Sequence, residues 1–173
     1  DILGAFDILM DKQVSIEDLK FVSNKLFNIL YQTILEYPAL TPAQGSILDI
    51  YTQDNAVALA NLKDMREHIK AINKQAEVVH VQALMQKLIA FEKFFLHYTV
   101  IENVVFPVLE SKWRHHQCVK IMWSFHDDIR RNVRKLIEIL ETPEIDLQEF
   151  NSTCGLVFFN VNTIILREEK IIF

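Results

Sequence analysis

Glycine, proline and cysteine are scarce in this chain of 173 residues, which holds three, four and two of them. So little turn-forming material cannot punctuate a many-stranded sandwich or barrel, and all-β folds are excluded. A basic excess is missing as well: 18 Lys and Arg stand against 23 Asp and Glu, for a net charge of −5. No basic stripe is available to neutralise phosphates, so nucleic acid is not an expected partner. No run of about 18 uncharged apolar residues exists to cross a bilayer. The longest candidate, residues 155–166, is too short and is interrupted by Asn160 and Asn162. Cys118 and Cys154 form no CxxC pair and cannot build a disulfide framework, which suits a reducing compartment. What remains is half apolar. A chain of this length buries roughly 70% of its unfolded surface. The expectation is one compact, all-α, cytoplasmic domain with no membrane span.

The chain opens on Asp1 and closes on the apolar run Ile171, Ile172, Phe173. Such ends read as a domain cut from a longer protein. Residues 1–44 are expected to be an N-terminal helical extension and linker, and residues 45–173 the main domain. Within the extension, apolar spacing marks helices over residues 2–10 and 16–37. The second opens on Ser15 with Asp18 three residues on, a capping-box start. Residues 37–45, with two prolines and a glycine, form the clearest linker.

Four long helical patterns follow. The first runs from Ser46 to Lys74 on a seam of Leu48, Tyr51, Asn55, Ala58, Leu62, Met65, Ile69 and Ile72. The second covers residues 79–111 through Leu84, Leu88, Phe91, Phe95, Tyr98, Glu102 and Val105. The third covers residues 117–141 through Val119, Met122, His126, Ile129, Val133, Leu136 and Leu140. The fourth starts near Leu147 and passes through Phe158, Asn162, Ile165 and Glu169. The spacing alternates three and four residues, and the connections are short, which predicts an up-down-up-down four-helix bundle.

Most seam positions are apolar. The exceptions are Asn55, Tyr98, Glu102, His126, Asn162 and Glu169. Counting from the turns puts Asn55, Glu102, His126 and Asn162 at one level, with Glu169 roughly 10 Å further along the axis at 1.5 Å per residue. Scattered buried polar residues hold helices in register; a level ring is a candidate site. A carboxylate and an imidazole facing each other inside a bundle suit metal ligation, proton transfer or a buried ion pair. Tyr98 shares a helix face with Glu102 at i, i+4. His97 falls off the seam, on the face of Phe94, Ile101, Val104 and Val108. His68 is too far along its helix to join the ring, and His80, His115 and His116 fall in turns, where solvation accounts for them.

Residues 97–110, His-Tyr-Thr-Val-Ile-Glu-Asn-Val-Val-Phe-Pro-Val-Leu-Glu, resemble the second-helix signature of hemerythrin-like (HHE) domains: a His, then acidic residues, then Phe-Pro. Residues 167–173, Arg-Glu-Glu-Lys-Ile-Ile-Phe, look like a second copy of that motif. Residues 122–130 look like the family's third helix, which supplies a His. Residues 45–55 are similar to the first-helix entry of a bacterial subgroup that often accompanies PAS sensor domains. The resemblance covers about residues 45–173. It implies a four-helix bundle holding a non-heme di-iron centre, used for oxygen binding, iron handling, or oxygen, nitric oxide and redox sensing. By position Glu102, His126 and Glu169 or its neighbour Glu168 match family ligands. His97 and Tyr98 are further candidates for the metal, and Asn55, Asn162, Glu168 and Met122 are candidates for its surroundings.

The ligand set departs from the family pattern. Ile164 and Ile165 stand in the fourth helix where His97 and Tyr98 stand in the second, and Ser46 and Asp49 stand where the subgroup usually has two histidines. Three functions follow as expectations. One is a sensory or regulatory domain that binds non-heme iron through Glu102, His126 and Glu169. Another gives the pocket to heme, with His126 or His97 as axial ligand, or to a small molecule held by the polar ring. The third is a metal-free interaction module. No nucleophile–base pair or phosphate loop appears, so no enzyme is expected. The expected partners are other domains of a longer chain, such as a PAS-type sensor or an effector.

Overall fold

A computed structural model describes residues 2–38 and 41–172; the linker residues Ala39 and Leu40 and the terminal Asp1 and Phe173 lie outside the described residues. Among the described residues the chain is all-helical, with no strand. Helix α1 (Ile2–Asp11) and helix α2 (Ile16–Glu36) form the extension, and α3 spans Ile47–Lys74. Residues 78–112 form one helical column in three α-helical pieces, α4 (Val78–Phe91), α5 (Phe95–Val100) and α6 (Phe106–Lys112). Helix α7 spans Cys118–Glu141 and α8 spans Leu147–Arg167. Helix α3 packs on α4, α4 on α7, α7 on α8 and α8 back on α3, while α1 and α2 both lie against α7. None of the described helices is long and apolar enough to cross a membrane.

Local chemistry sets the ends. Gly45 takes φ +74°, a conformation L side chains rarely adopt, and turns the chain into α3. The Ser46 hydroxyl then accepts the Asp49 N–H at 3.2 Å, and Asp49 Oδ2 accepts the Gly45 N–H at 2.8 Å. Ser46 and Asp49 are thus committed to capping this helix. Asp146 caps α8 through the N–H groups of Gln148 and Glu149.

The column 78–112 contains a π-helical turn at Ile101–Val105, just ahead of Pro107. Proline has no N–H to give the carbonyl four residues back, and its ring crowds that carbonyl, so the ladder widens there. A second π-helical turn, Glu168–Ile172, extends α8. Each buried carboxylate of the interior sits in one of these turns: Glu102 in the first, Glu168 in the second.

The extension is tied to α7 by polar contacts. Asp7 of α1 accepts the Gln117 N–H at 3.1 Å and pairs with His115 Nδ1 at 2.9 Å, which caps the start of α7 from outside it. Gly4 packs closely here: a Cβ in its place would stand 3.3 Å from the His115 ring, tighter than ordinary contact. From α2, the buried Lys20 ammonium reaches Asp128 of α7 at 2.7 Å.

Candidate functional site

The seams of α3, of 78–112 and of α7 face the interior as the spacing predicts, with Asn55, Tyr98, Glu102 and His126 all buried. Helix α8 is rotated relative to the expectation. Its buried line runs Phe150, Cys154, Val157, Val161, Ile164 and Glu168. Asn162 therefore lies on the outer face, where its Nδ2 donates to the Phe158 carbonyl at 2.6 Å. Glu168 is wholly buried, and Glu169 is only half-buried. Glu169 Oε lies near Asn55, but burial and the Glu168 charge raise its pKa above the ordinary carboxylate value. His97, which the spacing places off the seam, turns into the interior, buried beside Glu168.

These residues form a chain of alternating basic and acidic side chains through the protein. At one end the Arg130 fork engages Glu102: Nη1 donates to Oε1 at 2.9 Å and Nη2 to Oε2 at 3.0 Å. His126 Nδ1 donates to the same Oε1 at 2.8 Å. The other ring nitrogen of His126, Nε2, faces Glu168 Oε1 at 3.7 Å, an ion-pair separation rather than a hydrogen bond. Glu168 Oε2 accepts from Asn55 Nδ2 at 3.1 Å and from His97 Nε2 at 3.4 Å. His97 Nδ1 lies 3.4 Å from Asp54 Oδ2, whose side chain is half exposed. Order along the chain is Arg130, Glu102, His126, Glu168, His97, Asp54, so both ends reach toward solvent and the middle does not.

Aromatic rings wall the centre. Tyr98 stacks on the His126 ring with centroids 4.2 Å apart and planes 13° from parallel, and Phe106 lies parallel on it at 5.9 Å. Burial alone would disfavour the charged imidazole, but Glu102 and Glu168 outweigh it and hold the His126 pKa above the ordinary histidine value. Burial likewise opposes ionisation of the carboxylates, and the facing cations override it. His126 and Arg130 lower the pKa of Glu102, while His126 and His97 lower that of Glu168. Tyr98 is driven well above its usual pKa by burial and by the Glu168 charge, so its phenol stays protonated. Among the described residues, the buried Asn55 Oδ1, Tyr98 Oη, His126 Nε2 and Glu168 Oε1 of this region have no hydrogen-bond partner.

A pH dependence follows from these directions. The raised His126 pKa contributes stability that is full below the unfolded histidine value of about 6.5 and fades as pH rises through the folded value. The lowered pKa values of Glu102 and Glu168 contribute stability that is present above about 4.3 and fades as pH falls through theirs. Stability measured by urea unfolding should peak between these limits and decline on both sides. His126→Leu should flatten the alkaline decline; an unchanged alkaline limb would mean that His126 does not carry the charge.

The geometry around the residues expected to hold iron or heme is specific. Both oxygens of Glu102 are engaged by a guanidinium, so a metal at this carboxylate would compete with Arg130 for it. Nε2 of His126 faces Glu168 at 3.7 Å, so a heme iron there would require Glu168 to leave. Among the described residues, no three His, Cys, Asp or Glu side chains converge so as to hold a metal ion. Both thiols are held protonated by burial, Cys118 with its pKa pushed up to about 11 and Cys154 to about 12.

Outside the centre, Met122 lines an apolar cavity between the extension and α7. His68 and His80 pair across the α3–α4 turn at 3.2 Å, and His116 Nδ1 contacts the Trp113 carbonyl, so these histidines have partners of their own beyond solvent. Sequence spacing misses Arg130, although it stands four residues after His126 on the same helix face, the interval at which α-helical side chains meet. It also misses Asp54, whose neighbour Asn55 holds the seam position. No family model, curated protein or solved structure matches this chain.

Proposed function

We propose that the chain is a hemerythrin-like sensory or regulatory binding domain with no catalytic activity, an up-down-up-down four-helix bundle of α3, the 78–112 column, α7 and α8. In this reading, the place that the family gives to metal is taken by two organic cations, the Arg130 guanidinium and the His126 imidazolium, which balance the carboxylates of Glu102 and Glu168. The observation that carries it is the two-pronged engagement of Glu102 by Arg130. Arginine matches a carboxylate in this fork geometry and stays charged when buried. Two carboxylates with two cations form a balanced set, and buried ionic groups persist only when paired in this way. In this reading the domain couples to a PAS-type sensor or an effector.

The centre, with its alternating charges, is suited to hold two helical turns in one arrangement and to release them when a charge is removed. Expression in iron-replete medium tests the reading directly. Elemental analysis should find far less than one iron or zinc per chain, and titration with hemin should give no Soret band that depends on His126.

A second reading has its own support. His126 Nε2 and Glu168 Oε1 face each other unpaired, with the Tyr98 phenol also unpartnered. That arrangement suits a single cation held by His126 and Glu168. Near-stoichiometric metal that vanishes in Glu168→Ala would establish this reading and overturn the first.

A further inference from the structure

Between the extension and the rest of the protein lies a cavity of about 300 Å³, at the lower end of the range for small-molecule sites. Its wall is almost wholly apolar, with Phe6, Leu26, Phe27, Met122 and Phe125 among the lining side chains. One charged group reaches that wall. Arg167 is only 4% exposed, and among the described residues no carboxylate pairs with it. Nη2 donates to Asn24 Oδ1 at 2.8 Å and lies 3.4 Å from Ser23 Oγ, while Nη1 has no partner. The rings of Phe27 and Phe125 lie against the guanidinium at 4.6 and 4.5 Å. Burial with no opposing charge pushes its pKa down to about 10.

A buried cation without an anion is costly, and ring contacts and one amide oxygen offset only part of that cost. Every other buried charged side chain described in the interior faces an opposite charge: Lys20 has Asp128, Glu102 has Arg130, and Glu168 lies between two histidines. Arg167 alone sits beside an open space. The space is elongated. Its lining residues on α2 run from Ser23 to Ile34, about 16 Å along the helix at 1.5 Å per residue. An apolar trough with a single cation on its wall fits a chain with one anionic end better than a compact or multiply charged molecule.

We propose that this cavity binds a straight-chain aliphatic monocarboxylate of medium length, its alkyl chain lying along α2 and its carboxylate pairing with Arg167. Nη1 is closed to water in the present conformation, so the carboxylate reaches it through a shift of a neighbouring wall side chain. The site is separate from the Glu102 centre and does not depend on how that centre is occupied. Arg167 and Glu168 are consecutive residues, so a ligand held by one bears on the turn that carries the other.

Calorimetric titration of the whole chain with sodium decanoate, 1-decanol and decyltrimethylammonium tests this. Decanoate should bind about tenfold or more tightly than either uncharged or cationic analogue, the ratio that one charge-assisted pair supplies. Arg167→Met should bring decanoate to the level of decanol. Ile34→Trp, which fills the trough without touching the guanidinium, should weaken both. Equal binding of decanoate and decanol by the unsubstituted chain overturns the carboxylate assignment without any variant, and no binding of either overturns the site.

Discussion

Glu168→Leu should lower the stability of the chain by about 3–5 kcal/mol, the range for removing one partner of a buried ionic set. Glu168 is fully enclosed, at 0% exposure. Without it, Asn55 Nδ2 loses its acceptor, and the imidazoles of His97 and His126 lose the carboxylate between them. For a chain of this size the loss corresponds to a fall in Tm of roughly 10 °C, a large share of the 5–15 kcal/mol typical of a folded domain. The double variant Glu168→Leu with His126→Leu decides whether the cost comes from stranded charge. Replacing both groups removes the uncompensated imidazolium along with the carboxylate, so the pair should cost less than the two single variants added together. Additive costs would mean that the 3.7 Å contact carries no energy and that the loss is one of packing.

How far the centre can be read without coordinates depends on the helix. In α3 and α7, polar residues outnumber apolar ones away from the seam, so the apolar stripe is narrow and its phase is unambiguous. The positions of Asn55 and His126 follow from it. Helix α8 carries apolar residues around most of its circumference, with Leu156 and Phe159 outside and Val157, Val161 and Ile164 inside. Two stripes rotated by one residue fit it almost equally well, and only packing against α3 and α7 chooses between them. That one-residue rotation exchanges Glu169 for Glu168 and removes Asn162 from the interior. The π-helical turns are equally hidden from a 3.6-residue pattern, although Pro107 marks the first. His97 is hidden for a different reason: its neighbour Tyr98 holds the seam, and spacing alone leaves no second inward position beside it. Arg167 looks like a helix-terminal cation that complements the dipole. Its burial depends on α2, which approaches across 140 residues of sequence.

Arg130→Ala should separate the two ways of neutralising the centre. The guanidinium is partly solvated, with its side chain 17% exposed, so its loss should cost about 2–3 kcal/mol, less than for a fully enclosed partner. The variant leaves Glu102 and Glu168 with one imidazolium between them, a buried set with an excess negative charge. Two responses follow from this excess. Protonation of His126 becomes more favourable, so the alkaline decline in stability should move to higher pH than in the unsubstituted chain. A divalent cation should also gain a place, because both oxygens of Glu102 are freed beside His126. With Zn²⁺ or Fe²⁺ at about a hundredfold over its dissociation constant, the variant should recover on the order of 2–3 kcal/mol, close to what Arg130 supplied. The unsubstituted chain should respond far less, since its guanidinium already holds that carboxylate. Equal stabilisation of both proteins by the metal would show that the cation binds elsewhere, between His126 Nε2 and Glu168, and would replace the organic-cation reading with the single-metal one. Arg130→Lys sharpens the comparison. A lysine restores the charge but not the two-pronged fit, so it should recover part of the stability and still shut the metal out.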